Sequence, residues 1–175
     1  MEFVAIDLGV QPSPSAYDQM IIEGMGATHV LFDAISTKKD RDGRYEDRGI
    51  AAVKCVGCAM TKYGCPNDEG RPEHPLWTHG LSKCEASIVE VRGSPWLDEV
   101  REQMAQSARR IWGNRPGGVP RAPESSRKGP YARHFVFLFR EQTFECIAQD
   151  LVVSLHSGSW PTAAAQVLGA RSWRN

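Results

Sequence analysis

Cysteine and histidine side chains are concentrated in one short segment, KCVGCAMTKYGCPNDEGRPEHPLWTHGLSKCE, at residues 54–85. It holds four of the five cysteines and two of the five histidines. Thiolates and imidazoles are the ligands that Zn²⁺ prefers, and C-x2-C spacing lets two thiolates reach one metal from a tight turn. The sequence therefore predicts a tetrahedral Zn²⁺ site whose expected ligands are Cys55, Cys58, Cys65 and Cys84, with His74 or His79 as substitutes.

A structural zinc is favoured over a catalytic one, because Glu73 is the only nearby carboxylate suited to handling protons. Two alternatives stay open for the same cysteines. They can be buried as ordinary core residues, or they can serve a redox or iron–sulfur role.

A disulfide framework is disfavoured by the odd count of five cysteines. The N-terminus, MEFVAIDLGV, also lacks the basic flank of a secretory signal, so we expect a cytoplasmic protein with reduced thiols.

A second set of reactive side chains lies near the C-terminus, in HFVFLF and TFEC. His134, Glu145 and Cys146 are residue types that perform acid–base and nucleophilic chemistry, which suggests a small hydrolase or transferase. A two-residue turn between the two strands would place Cys146 opposite Phe137, on a core face, and Glu145 on the other face. His134 would then lie opposite Gln149. Under this register, Cys146 is predicted to be a core residue.

Basic side chains form a block after residue 106. Residues 1–106 carry 11 Lys and Arg against 17 Asp and Glu, whereas residues 107–140 carry eight basic residues and one acidic residue. Such a block can attract an anionic partner, either a nucleic acid or a protein. Much of it lies in a Gly/Pro/Arg-rich loop predicted at residues 113–133. The predicted partner-binding residues are Arg109, Arg110, Arg115, Arg121, Arg127, Lys128 and Arg133.

Apolar and alternating runs indicate which elements position these residues. They predict strands at residues 3–10, 28–36, 49–56, 85–93, 134–139, 143–148 and 150–156. Asp42-Gly43 predicts a hairpin between the second and third of these strands, and the last three are expected to form a meander. Helices are predicted from Ser13 or Ser15 to about Met25, from Ser94-Pro95 to residue 112, and from Ser159 onwards.

This order of elements predicts an α+β fold with a mainly antiparallel sheet, two to three helices and a Cys/His-rich loop at residues 55–84. At 175 residues the chain suits one domain, 1–175. No run approaches the roughly 18 apolar residues of a membrane span, so no membrane partner is expected. The leading hypothesis is a small cytoplasmic binding or accessory protein with a zinc-ordered loop and a basic loop. The alternatives are the hydrolase or transferase above and a structural subunit of a complex.

Overall fold

The fold is known from a computed structural model, which describes residues 1–16, 18–24, 27–64, 69–112 and 132–169, without the side chains of residues 111 and 112. The strands in these ranges are β1 Glu2–Ala5, β2 Val10–Pro12, β3 Gln19–Gly24, β4 Ala27–Lys39, β5 Tyr45–Val56, β6 Met60–Gly64, β7 Ile88–Arg92, β8 Arg133–Leu138, β9 Thr143–Ala148 and β10 Asp150–His156. The α-helices are α1 Pro95–Trp112 and α2 Trp160–Val167. Three single-turn 3-10 helices, Arg71–Glu73, Trp77–His79 and Leu81–Lys83, precede β7.

The strands form two antiparallel sheets. The first sheet has the order β1-β7-β8-β9-β6. The second sheet has the order β10-β5-β4-β2, and β3 also pairs with β4. The predicted α+β class with a mainly antiparallel sheet and two α-helices is confirmed for the described residues.

The two sheets pack face to face around an aromatic core. Phe135, Phe137 and Phe144 of the first sheet are fully buried and pack with Val53 and Phe32 of the second. The outer face of each sheet is covered in part. Helix α2 lies on the second sheet, and the 3-10 helices and the start of α1 lie on the first, whereas Val152 of β10 is 52% exposed. Burial on both faces explains why β7, β8 and β9 read as nearly continuous apolar runs.

The predicted hairpin at Asp42-Gly43 is confirmed between β4 and β5. The side chain of Asp40 accepts hydrogen bonds from the backbone amides of Asp42 and Arg44 at 2.9 and 2.8 Å. An Asp that bonds to amides further along its own turn is a standard turn-forming device. The charged tip therefore serves to reverse the chain.

The helix predicted from Ser13 or Ser15 to about Met25 is wrong. Ser13 donates its backbone N–H to the carbonyl of Asp33, and residues 19–24 form strand β3 paired with the start of β4. Pro12 and Pro14, which suit a helix start, suit a turn equally well. A helix of about a dozen residues has little intrinsic stability, so pairing with β4 outweighs it.

The predicted Cys/His-rich loop at residues 55–84 is also wrong for the part that the structure describes. Cys55 ends strand β5, residues 60–64 form β6 on the edge of the first sheet, and the 3-10 helices fill much of the remainder. Leu76 and Leu81 anchor this last part by packing against Val89 and Val136. The segment is therefore held by strand pairing and apolar burial.

The predicted C-terminal meander is correct only for its first hairpin. Strands β8 and β9 pair with each other, but β10 crosses to the second sheet and pairs with β5. Phe135 pairs with Cys146 where the sequence predicts Phe137 in that position, because four residues connect the strands instead of two. The shift of two residues leaves the predicted core face of Cys146 unchanged.

Helix α1 begins as predicted, with Ser94 as its N-cap. The Ser94 hydroxyl accepts the backbone N–H of Leu97 at 3.2 Å and contacts His134 Nδ1 at 2.8 Å. Leu97 and Val100 of the predicted apolar face pack on Ile147, whereas Met104 is 57% exposed. The start of α1 is therefore the part that the first sheet anchors.

Replacing Ser94 by Ala should lower the free energy of unfolding by about 2 kcal/mol, because a cap and a buried hydrogen bond are lost together. Urea denaturation at pH 7 measures the change. The matched control is Ser159→Ala at the N-cap of α2, where no side-chain cap hydrogen bond forms. That variant should lose no more than about 0.5 kcal/mol, and equal losses would contradict the assignment.

Candidate functional site

The first sheet separates the predicted zinc ligands. Cys55 and Cys58 pack in the core between the sheets, whereas Cys84 packs with the apolar cluster on the outer face of the first sheet. His74 is buried on that outer face, His79 is exposed in a 3-10 helix, and Cys65 lies outside the described residues. Within the described ranges, no group of three or more His, Cys, Asp and Glu side chains is placed to hold a metal ion.

Three thiols from two distant parts of the sequence meet between the sheets. Cys55 lies near the end of β5, the next turn places Cys58 nearby, and β9 contributes Cys146. The sulfurs of Cys146 and Cys55 lie 3.6 Å apart, with Cys146 as the donor, and Cys58 packs against the same core cluster. We call Cys55, Cys58 and Cys146 the three-thiol cluster. It joins the two cysteines of the C-x2-C motif to a residue 88 positions beyond Cys58 (146 − 58).

Gly57 makes the sharp turn between the two cysteines of the motif possible. Its φ is +59°, a left-handed conformation that glycine adopts without the steric cost of a Cβ. A Cβ at this position would also lie 2.6 Å from the side chain of Gln149. The turn brings Cys58 to the rim of the core, where it is half-buried, whereas Cys55 and Cys146 are fully buried.

The hydrogen bonds in the cluster separate the acidities of two of its thiols. A hydrogen bond from Cys146 is the largest effect on Cys58 and lowers its pKa to about 7, against an ordinary 9.0. The Thr28 hydroxyl lowers it further, while burial and the charge of Glu23 oppose the shift. Hydrogen bonds to Cys55 and Cys58, together with burial, raise the pKa of Cys146 well above its ordinary value. The two pKa shifts go in opposite directions, so Cys58 is the more acidic of these two thiols.

A second polar group lies on the outer face of the first sheet. His134 Nε2 is 2.8 Å from Glu145 Oε2, and His74 Nε2 is 3.5 Å from Glu145 Oε1. Residues 134 and 145 are diagonal neighbours in the β8–β9 register, since Val136 is the residue directly opposite Glu145. With Ser94 at 2.8 Å from His134 Nδ1, these residues form a chain that we call the Ser-His-Glu-His network.

The partners in this network determine its proton positions. Burial alone would raise the pKa of Glu145, but hydrogen bonds from His134 and His74 outweigh it and lower the pKa to about 2. The ionised carboxylate only accepts, so Nε2 of each histidine carries a proton. His74 Nδ1 accepts the backbone N–H of Leu76 at 3.1 Å, and His134 Nδ1 lies 2.8 Å from the hydroxyl of Ser94. Each polar group of the network therefore has a partner.

Two further side chains enclose the network. Trp96 packs edge-on against His134, with ring centroids 5.0 Å apart, and the ammonium of Lys62 lies 3.9 Å from the centroid of the same indole. Lys62 is also the residue directly opposite Glu145 across the β6–β9 pair. Ser94 and His134 are each only 1% exposed. A substrate therefore has no direct access to them, and the network joins α1, the 3-10 segment and the sheet.

The predicted catalytic residues thus divide between two groups. His134 and Glu145 meet in the network, but Cys146 points to the opposite face, as the alternation of side chains along β9 requires. The sequence does not predict that Ser94 and His74 join the Ser-His-Glu-His network. It predicts Ser94 only as a helix cap and His74 only as a metal ligand. The pairing of Cys146 with the C-x2-C motif has no local sequence signal, because it depends on how the two sheets pack.

The predicted partner-binding residues can be placed only in part. Arg109 and Arg110 lie exposed in the last turn of α1. Arg133 forms a partly buried ion pair with Glu90 and a longer one with Asp150. The remaining members, Arg115, Arg121, Arg127 and Lys128, lie outside the described residues.

Comparisons of the chain with models of known protein families, with curated proteins and with solved structures find no match. No helix in the described ranges is long and apolar enough to cross a membrane. Within the three-thiol cluster, Cys58 is the member that is only half-buried.

Replacing Glu145 by Gln should destabilise the protein by about 3 kcal/mol at pH 7, given the shift of its pKa from 4.5 to about 2. Because the folded-state pKa is lowered, this stability is present above pH 4.5 and is lost as the pH falls towards 2. The difference between wild type and variant should shrink to under about half at pH 3. Urea denaturation at both pH values measures it.

The matched control is Glu141→Gln in the β8–β9 turn, where the carboxylate is exposed and lies 3.7 Å from Arg140. This variant should change stability by less than about 0.5 kcal/mol. A Glu145→Gln variant with unchanged stability at pH 7 would show that the network contributes nothing.

The rate of Cys58 alkylation by iodoacetamide should rise with pH through a midpoint near 7, because only the thiolate reacts. Peptide mass spectrometry measures the rate at each pH. Cys146→Ala removes the main hydrogen bond, so the midpoint should move towards 9.0. Cys55→Ala is the matched control, since it also truncates a buried thiol of the cluster. A midpoint near 9.0 in the wild type would contradict the assignment.

Proposed function

We propose that the protein performs thiol redox chemistry, with Cys58 as the reactive thiolate and Cys146 as the thiol that forms a disulfide with it. The observation that carries the proposal is the packing of a half-buried Cys58 against the core cluster that contains the fully buried Cys146. Redox-active cysteines combine an accessible, acidic thiol with a neighbouring resolving thiol. Purely structural cysteines need neither feature.

The chemistry requires an oxidant, which is either a disulfide or a hydroperoxide. With a disulfide, the Cys58 thiolate attacks one sulfur, the S–S bond breaks, and the other sulfur leaves as a thiolate. Cys146 then gives its proton to the first released thiolate and attacks the sulfur of Cys58, which releases the second thiolate to take a proton from solvent. Two protein thiols become one disulfide, and the oxidant is reduced to two thiols. Cys58 packs against the core cluster that contains Cys146, and this proximity supports the second step.

Cys55 is the third member of the cluster, and its buried position indicates a structural role. It is fully buried, and its sulfur lies 3.6 Å from that of Cys146. The S–H of Cys146 is directed to Cys55, which also fills space between the sheets as a small apolar residue would.

Treatment of the reduced full chain with one equivalent of hydrogen peroxide or diamide should produce a Cys58–Cys146 disulfide. Trypsin leaves Cys55 and Cys58 together in CVGCAMTK, between Lys54 and Lys62, and Cys146 in a separate peptide. A cross-link between these peptides is the expected product. The Cys58→Ser and Cys146→Ser variants should not form it, because each lacks one of the two sulfurs.

Two variants provide the controls for this experiment. Cys55→Ser should retain the cross-link, which assigns it to Cys58. Cys84→Ser should also retain it, since Cys84 packs on the outer face of the first sheet. The proposal fails if oxidation links Cys84 or Cys65 to another cysteine instead, or if the cross-link survives in Cys58→Ser and disappears in Cys55→Ser.

The zinc loop and the anionic partner of the basic segment stay predictions. Cys65 and most of the basic residues lie outside the described residues, and no described contact favours either hypothesis. The hydrolase or transferase hypothesis also stays a prediction. Its residues His134 and Glu145 do come together, but Cys146 belongs to the opposite face of the sheet.

A further inference from the structure

Strand β10 forms one edge of the second sheet. It pairs with β5 along its whole length, and within the described residues no strand pairs with its other side. The backbone groups of an antiparallel strand point alternately to its two sides, so every second residue of β10 directs its N–H and C=O groups away from β5. Proteins usually protect such an edge, because it can pair with a strand of another chain.

The other described edges of the two sheets are short or covered. Strand β2 has three residues, one of which is Pro12, and β1 has four. Side-chain hydrogen bonds join β6 to β3, from Thr61 to Glu23 at 2.8 Å and from Gln19 to Tyr63 at 3.1 Å. Strand β10 has seven residues and contains no proline, lysine or arginine. It is therefore the edge with the least protection against pairing.

Two apolar side chains of this edge strand are exposed. Val152 is 52% exposed, and Leu155 is 49% exposed. Leu155 shares a face of the strand with Leu151 and Val153, which pack into the core between the sheets. Leu155 therefore continues the core face of the second sheet outwards, and Val152 lies on the opposite face.

The sequence of β10, DLVVSLH, is complementary to itself when two copies run antiparallel with Val153 of each at the centre. Each remaining residue then faces a compatible residue of the second copy: Leu151 faces Leu155, Val152 faces Ser154, and Asp150 faces His156. Like charges directly opposite each other destabilise strand pairing, and this register avoids them. Moving the two-fold axis by one residue in either direction would separate the leucines from each other and the aspartate from the histidine.

We propose that the protein forms a two-fold symmetric dimer by antiparallel pairing of β10 with β10 of a second copy. The second sheet then continues through both copies in the order β2-β4-β5-β10-β10-β5-β4-β2. Leu155 of each copy covers Leu151 of the other, and the backbone groups that point away from β5 gain partners. The same patch is used by both copies, so the assembly closes at two. This association does not depend on the thiol chemistry proposed above.

Sedimentation equilibrium of the full chain from about 1 to 200 µM tests the dimer, with a reducing agent present so that no disulfide links the copies. The weight-average mass should rise with concentration from that of one chain towards that of two. Leu155→Lys should weaken the dimer at least about tenfold, because two leucines lose their burial. The matched control is Met104→Lys on α1, where the side chain is 57% exposed. It should change the dissociation constant less than about twofold.

Two charge variants test the register, because Val152 and Ser154 are exposed and face each other in the proposed dimer. In Val152→Lys/Ser154→Lys, like charges meet across the two-fold axis, and the same holds in Val152→Glu/Ser154→Glu. Each variant alone should stay monomeric at about 200 µM. An equimolar mixture of the two should form a heterodimer, since opposite charges then meet. Raising the salt concentration should weaken this heterodimer.

Three results would overturn the proposal. The first is a wild-type chain that stays monomeric up to about 200 µM. The second is equal weakening by Leu155→Lys and Met104→Lys, which would place the contact elsewhere. The third is a mixture of the charge variants that stays monomeric although each keeps the wild-type far-UV circular dichroism spectrum. If the charge variants do not fold, the comparison of Leu155→Lys with Met104→Lys decides.

Discussion

The alternation of side chains along β9 is the constraint on which both polar groups depend. Successive residues of a strand point to opposite faces of the sheet, so neighbouring Glu145 and Cys146 belong to different layers. Cys146 faces the second sheet and meets the C-x2-C motif. Glu145 faces α1 and the 3-10 segment, where two histidines surround it. One strand thus supplies the central member of each group, and the sheet keeps the two groups apart.

The two groups are stabilised by different physical means. A carboxylate can stay ionised in a largely buried position only if donors replace the water that it loses, and His134 and His74 provide them. The thiols need no such compensation, because cysteine is one of the most easily buried side chains. The three-thiol cluster can therefore sit in the aromatic core at little cost. The thiol whose pKa is lowered, Cys58, lies at the rim of this core.

Local patterns were sufficient for elements whose partners lie nearby in the chain. The Asp42-Gly43 hairpin, the start of α1 at Ser94 and strands β8 and β9 follow from turn chemistry, capping and apolar runs. The predicted core face of Cys146 is confirmed because an error of two residues in register preserves the face. The helix predicted before Met25 is wrong because its residues gain more from pairing with β4 than from local helical structure. The crossing of β10 to the second sheet likewise has no local signal.

The amino-acid sequence alone determined which reactive residue types are present, which segments are extended, and that Glu145 and Cys146 point to opposite faces. These properties depend on composition and on the period of two along a strand. Only the tertiary structure decided which residues meet. It brought Cys146, rather than Cys84, to the C-x2-C cysteines, and it placed His74 beside Glu145. The physical reason is that these contacts connect different strands and layers, so they depend on sheet order, register and packing, which no local stretch of sequence contains.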